Sequence, residues 1–262
     1  YYTLSNERIP FRKDKTEDDR FFILTLIAIA EELAARGVGD QELYHIQLAV
    51  GLPPAHFGAQ ADRLTDYFQD RGIVEYVYQD KHYAICIDNV ACYPQAYAAA
   101  ATMLHSLMDD PKAVVLDIGG FTADYLLMKN GNADLSSCDS LENGVIRLYN
   151  KIRSRGNSEL DLLLDESDVD AILTGKQTKY PVEAVRLVEQ LAQEFVNDLF
   201  STLRERMLDL RFCKVVFVGG GSILLRRQIE ASNKVGTPLF VTNINANAAG
   251  YEYLYRLEAM GR

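Results

Sequence analysis

Residues Asp117 to Asp124 read D-I-G-G-F-T-A-D: an acid closes a run of branched apolar residues, two glycines follow, and a hydroxyl and a second acid come next. A hairpin needs a turn but not these acids. Consecutive amides from Gly119 through Gly120 and Phe121 to Thr122 can converge in a tight turn on phosphate oxygens, and glycine lets the backbone come closer than a Cβ would allow. Thr122 would add a hydroxyl donor. Asp117 suits Mg²⁺, held through water because that ion dehydrates reluctantly, and Asp124 would fix the loop or sit one layer behind the ion. An ordinary hairpin whose glycines serve only the bend uses the same residues.

A second stretch, V-F-V-G-G-G-S, sets Gly219, Gly220 and Gly221 between a strand and a helix expected to open at Ser222. Such a corner can bring backbone against a nucleotide with the positive helix end nearby. It lacks both the G-x-G-x-x-G pattern and the lysine of a P-loop, so glycines placed for packing explain it equally well.

Composition narrows the functions. The 262 residues are enough for two cores. A net charge of −10 argues against a surface that grips nucleic acid directly. Cys86, Cys92, Cys138 and Cys213 show no metal-ligand spacing and read as free thiols in a reducing cytoplasm, and the four histidines show none either. The apolar run Phe21–Ala30 is about half the length that spans a membrane, which makes it a core helix and excludes a membrane role for it.

The elements that must position these motifs follow from periodicity. A helix is expected over about 17–36, opened by a capping box from Thr16 to Asp19 and closed at Gly37. A strand ended by two prolines, an amphipathic helix stopped at Gly72 and a hairpin come next. The alanine-rich run after Pro94 reads as a helix with proline near its first turn, its small side chains permitting close packing. Lys112 to Ser140 read as three strands joined by tight turns, followed by a helix from about 142 to 155, a short capped helix and a long amphipathic one. The glycine corner, a strand and a last helix complete an α/β order.

The two glycine motifs, about a hundred residues apart with a helical region between them, resemble the actin, heat-shock chaperone and sugar-kinase superfamily. The stretches ERIPFRKDKT, LAVGLPPAHFGAQ, YPQAYAAA, DIGGFTADYLL and NANAAGYEYL are similar to those of bacterial plasmid-segregation actins, the ParM/StbA/Alp-like group. The resemblance implies an actin-like ATPase fold of the ribonuclease H-like kind, two lobes around a nucleotide cleft. It divides the chain into an N-terminal lobe at 1–110, a C-terminal lobe at 111–245 and a helix at 246–262 returning toward the first lobe.

The resemblance also implies roles. ATP or ADP with Mg²⁺ would bind Gly119, Gly120, Phe121 and Thr122 and the corner Gly219 to Ser222. Glu142 and Gly144 fall where the superfamily contacts ribose, although a helix-start acid is the plainer reading of Glu142. The catalytic candidates are Asp117 and Gln95, whose amide would orient the attacking water; a helix-start residue bonding to backbone is the alternative for Gln95. Hydrolysis would be coupled to head-to-tail filaments that segregate plasmid or other DNA through a DNA-binding adaptor. A small-molecule kinase of the same superfamily and a non-catalytic nucleotide-binding scaffold stay open. Two features depart from the pattern. No acid-x-Gly-x-x-x-Lys phosphate loop stands in the first fifty residues, which with the absent initiator methionine raises the expectation of a longer product, and Phe121 replaces a third glycine, tolerable if it points outward.

Overall fold

The computed structural model describes residues 2–3, 9–10, 12, 14–37, 43–103, 107–176 and 179–261. Residues 7, 8, 11 and 13 of the ERIPFRKDKT stretch, and residues 104–106 with His105, lie outside them. The chain forms two compact units, Tyr1–Ala49 with Ala59–Cys92, and Val50–Gly58 with Tyr93–Arg262.

The first unit holds α1 (Arg20–Ala35), most of α2 (Pro54–Gln69) and most of a three-stranded sheet in the order β1-β3-β2. Its strands are β1 (Tyr44–Leu52), β2 (Ile73–Tyr78) and β3 (Lys81–Pro94). Phe22, Leu26 and Ala30 form the buried stripe of α1 at helical spacing. Phe22 packs 6.2 Å from Phe68, and the Arg71 guanidinium lies 4.5 Å from its ring centre. The helix closes at Gly37 as expected, with φ +60°. Its start differs: no side chain caps it, because Thr16 donates to Asp14 while Asp19 pairs with Arg71. The β2–β3 turn, Gln79 and Asp80, has positive φ at both positions, the twist a two-residue hairpin requires.

The second unit is built on a five-stranded sheet in the order β6-β5-β4-β7-β8. The strands β4 (Ala113–Ile118), β5 (Ala123–Lys129) and β6 (Asn132–Leu141) form the expected antiparallel run. Strands β7 (Lys214–Val218) and β8 (Thr237–Phe240) add in parallel. Because strand side chains alternate, Val114, Leu116 and Ile118 face one layer and Ala113, Val115 and Asp117 the other. The first layer is α4 (Val145–Leu160), α5 (Glu166–Leu173) and α6 (Val182–Glu205), which share a core with Val114, Leu116 and Ile118. The second is the alanine-rich turn α3 (Tyr97–Ala100) and α9 (Ala246–Met260), where Ala96, Ala99, Ala100 and Ala246 pack with Ala113, Val115, Leu126 and Val218.

The structure corrects three boundaries. Pro94 ends β3 without opening a helix, because the chain turns sharply at Ala96 and α3 begins only at Tyr97; it is a single α turn continued by 3₁₀ geometry over Ala101–Met103. Helix α4 starts at Val145 with Gly144 as its N-cap, three residues later than expected. At the glycine corner the helix α7 (Gly219–Leu224) begins at Gly219 instead of Ser222, and α8 (Arg226–Ala231) follows after a break.

The four cysteines are unpaired, and burial pushes the Cys92 thiol up to about 11 and raises that of Cys213, which keeps both protonated. No helix among the described residues is long and apolar enough to cross a membrane.

The close packing expected of the alanines is observed. A Cβ on Gly250 of α9 would lie 1.8 Å from the Ala98 carbonyl oxygen, and Tyr251 stacks on Tyr93 with centroids 6.4 Å apart. Gly250→Ala is therefore expected to lower stability by about 1–3 kcal/mol or more, since backbone cannot yield as a side chain can. Gly58→Ala, in α2 with nothing within 4 Å of the new Cβ, is expected to gain about 1 kcal/mol; chemical denaturation of the two variants checks the contrast.

Candidate functional site

Strand β4 is buried along its length, so an acid at its end stands out. Asp117 is 8% exposed, and burial raises its carboxyl above the usual range while one hydrogen bond opposes the rise. That bond comes from the side-chain amide of Asn247 on α9, 2.8 Å from Oδ2. Across the ladder Asp117 stands opposite Asp124, which is 5% exposed and accepts from the hydroxyls of Ser140 and, at 3.3 Å, Thr122. Directly opposed side chains share a face, so two buried acids lie side by side toward α3 and α9. The Thr122 hydroxyl, expected to face a phosphate, is thus held against Asp124, which suits the loop-fixing role of that acid.

The hairpin tip is fixed by its carbonyls. Gly119 N–H donates to the Thr122 carbonyl at 2.8 Å and closes a two-residue loop. The carbonyls of Gly119, Gly120 and Phe121 accept from the N–H groups of Val145, Ile146 and Gly144, each at 3.0 Å. These donors are the unsatisfied amides at the start of α4, so the tip caps that helix. In a trans peptide the C=O of one residue and the N–H of the next point opposite ways. Three carbonyls docked on α4 therefore direct the amides of Gly120, Phe121 and Thr122 away from it, toward one side. Of the four amides expected to converge, the one from Gly119 is used by the hairpin and three share a direction. Phe121 is 38% exposed, as its replacement of a glycine requires.

The glycines are needed for different reasons. A Cβ on Gly144 would lie 2.1 Å from the Gly120 oxygen, so a glycine here lets the hairpin tip pack on the start of α4. Glu142, two residues before it, is exposed. Gly219 has φ +82°, and a Cβ there would meet Asp117 Oδ1 at 2.3 Å. On Gly221 a Cβ would meet the Ile118 oxygen and Val145 Cγ1, both at 2.7 Å, so the glycine corner, the hairpin and the start of α4 converge on Ile118. Gly220 differs: it is exposed and a Cβ would meet nothing within 4 Å. Ser222 is fully buried and its hydroxyl donates to the Val218 carbonyl, so backbone alone faces outward at this corner.

Gln95 sits beside a strained turn. Ala96 has φ +60° and ψ −54°, and Tyr97 N–H reaches back to the Gln95 carbonyl at 2.5 Å, a γ-turn of the positive-φ kind. Such a conformation costs about 1–3 kcal/mol and persists only where its surroundings hold it. Here Gln95 N–H donates to the Leu52 carbonyl at 2.7 Å, and Ala96 N–H donates to Asn247 Oδ1 at 3.0 Å. Asn247 thus holds Ala96 with one atom and Asp117 with the other. The sequence offered little sign of it, since an asparagine at the start of a helix ordinarily reads as a cap. All of these residues belong to the second unit. Arranged this way, amides on one side of a tip, two acids and an exposed glycine backbone can receive a polyanion and a hard cation.

Comparison with known proteins agrees with this architecture. The family model "Actin like proteins N terminal domain" matches residues 3–97, and "Archaeal actin homologue MreB-like, C-terminal" matches residues 115–231. No curated protein matches the chain. Among solved structures, Ta0583, an archaeal actin homolog in complex with ADP, is similar with a TM-score of 0.71 at 20% identity, over 98% of this chain and 84% of that one. ParM of Bacillus thuringiensis with ATP gives 0.66 at 13% identity, over 97% and 78%, and the Alp12 filament structure 0.62 at 17%, over 90% and 75%. The two family models, both of actin-like proteins, follow one another over most of the chain, and the fold is that of these solved actin-like proteins.

Proposed function

We propose that the chain binds and hydrolyses ATP and assembles head to tail into filaments that segregate plasmid or other DNA in a bacterial cytoplasm. The observation that carries this reading is the docked hairpin tip, whose amides from Gly120 to Thr122 turn to one side next to Asp117. Support comes from relatives of the same fold solved with ADP and with ATP, and from one solved as a filament. A net charge of −10 fits contact with DNA through an adaptor.

In this reading the tip amides of Gly120, Phe121 and Thr122 hold phosphate oxygens, while the exposed backbone of Gly220, with Gly219, Gly221 and Ser222 beneath it, takes the nucleoside. Glu142 lies at the rim. Gln95 orients the water that attacks the terminal phosphate, a positioning task an amide can perform. Mg²⁺ fits the donors present: two buried carboxylates, Asp117 and Asp124, on one face, hard oxygens few enough to leave coordination for phosphate and water. No group of three or more His, Cys, Asp or Glu that could hold an ion alone exists among the described residues, which fits an ion that arrives with its nucleotide. When bound, the ion supplies charge neutralisation at the transferred phosphoryl group.

Sedimentation tests the whole. ATP with Mg²⁺ is expected to pellet the wild-type chain and leave Asp117→Ala in the supernatant; equal pelleting of both overturns the mechanism. Gly220→Val separates ligand contact from folding. Its melting temperature should stay near wild type because the side chain has room, while ATP affinity in a titration falls about tenfold or more, equivalent to ~1.4 kcal/mol of lost close approach.

Asp117→Asn probes the buried charge. Its carboxyl is raised in the folded state, so this group opposes folding above the ordinary carboxylate range and the opposition fades as pH falls through its folded value. At neutral pH the variant is expected to melt higher by about 2–4 °C per kcal/mol relieved, with the advantage gone in acid where both states are protonated. Calorimetry across pH reads the sign.

A further inference from the structure

We propose that Asn247 is a positioning residue of the nucleotide site, its side-chain amide setting the spacing between the Asp117 carboxylate and Gln95 by holding Asp117 and Ala96 at once. The inference rests on the ATP reading and concerns a residue that reading does not use. Both polar atoms of the amide are engaged, Nδ2 donating to Asp117 Oδ2 at 2.8 Å and Oδ1 accepting from Ala96 N–H at 3.0 Å. No other side chain of this size does both: aspartate lacks the donor, leucine lacks both atoms, and serine is a bond too short.

The anchor is itself held. One turn along α9, Gly250 lies against the Ala98 carbonyl with no space for a Cβ, and next to it Tyr251 stacks on Tyr93 and presses on Gly51. Tyr93 also donates to Glu258 farther down the helix, at 3.0 Å. Helix α9 therefore cannot slide relative to residues 93–98, and its asparagine is a fixed point. On the other side, Ala96 occupies a positive-φ turn that needs outside support, and its N–H is the group Asn247 holds. Relaxation of that turn would swing the neighbouring Gln95, whose side chain must meet a water in line with a phosphate. Misplacement of about 1 Å in such a geometry can cost about a hundredfold in rate.

The experiment uses the full chain with Mg²⁺-ATP, comparing wild type, Asn247→Ala, Asn247→Asp, Gln95→Ala and Gln95→Ala/Asn247→Ala. Turnover is measured by phosphate release, nucleotide binding by the anisotropy of a fluorescent ADP, and folding by melting temperature. Asn247→Ala is expected to lower kcat about tenfold or more, with ADP affinity changed less than about threefold. In the Gln95→Ala background the same change should cost less than about threefold, because residues acting as a unit are not additive. Asn247→Asp keeps the acceptor for Ala96 and loses the donor to Asp117, so it should lose turnover too, and it serves if Asn247→Ala does not fold. Turnover of a folded Asn247 variant within about twofold of wild type, or an undiminished loss in the Gln95→Ala background, overturns the proposal. A wild-type chain that neither binds the ADP probe nor releases phosphate overturns the ATP reading and this proposal together, whereas an active wild type matched by Asn247→Ala overturns this one alone.

Discussion

Three carbonyls resting on three amides organise the second unit. The oxygens of Gly119, Gly120 and Phe121 satisfy the N–H groups of Gly144, Val145 and Ile146, which would otherwise be orphaned at the start of α4. One contact does two jobs. It caps the start of a helix and, through the planarity of trans peptides, aims the following amides the opposite way. The glycines around it follow as steric consequences: Gly144 because the Gly120 carbonyl occupies its Cβ position, Gly221 because Ile118 and Val145 do, and Gly219 because its φ is positive and Asp117 lies against it.

Gly220 is the exception at this corner. Its neighbours are glycine because the protein packs against itself there, whereas among the described residues nothing lies within 4 Å of a side chain begun at Gly220. Asp117 poses a comparable question, since a carboxylate near the end of a buried strand opposes folding unless paired, and the chain offers it one neutral amide where a cation would stabilise it more. Features that do not serve the fold are the ones a ligand explains best.

Much of the fold was legible. Apolar runs joined by tight turns marked β4, β5 and β6, the amphipathic spacing marked α6, and Gly37 and Gly72 ended their helices where expected. The acids and glycines of the hairpin stood out because they have no part in a plain turn. Boundaries governed by distant contacts did not read through. The start of α4 is set by a hairpin more than twenty residues upstream, the start of α3 is set by a turn at Ala96 held from α9, and the corner helix opens on a glycine whose conformation is constrained by Asp117.

The sequence by itself determined which residues could serve a polyanion, because residue type and short spacing fix local backbone freedom and donor chemistry. It also determined the α/β order, since periodicity is a local property. Only the tertiary structure decided which way the peptide groups of the tip face, which glycines are obligatory for packing and which is open, and that an asparagine 130 positions away in the chain holds the buried acid. Those outcomes depend on contacts between segments far apart in sequence, where the partner's position, and not the residue's own propensity, sets the geometry.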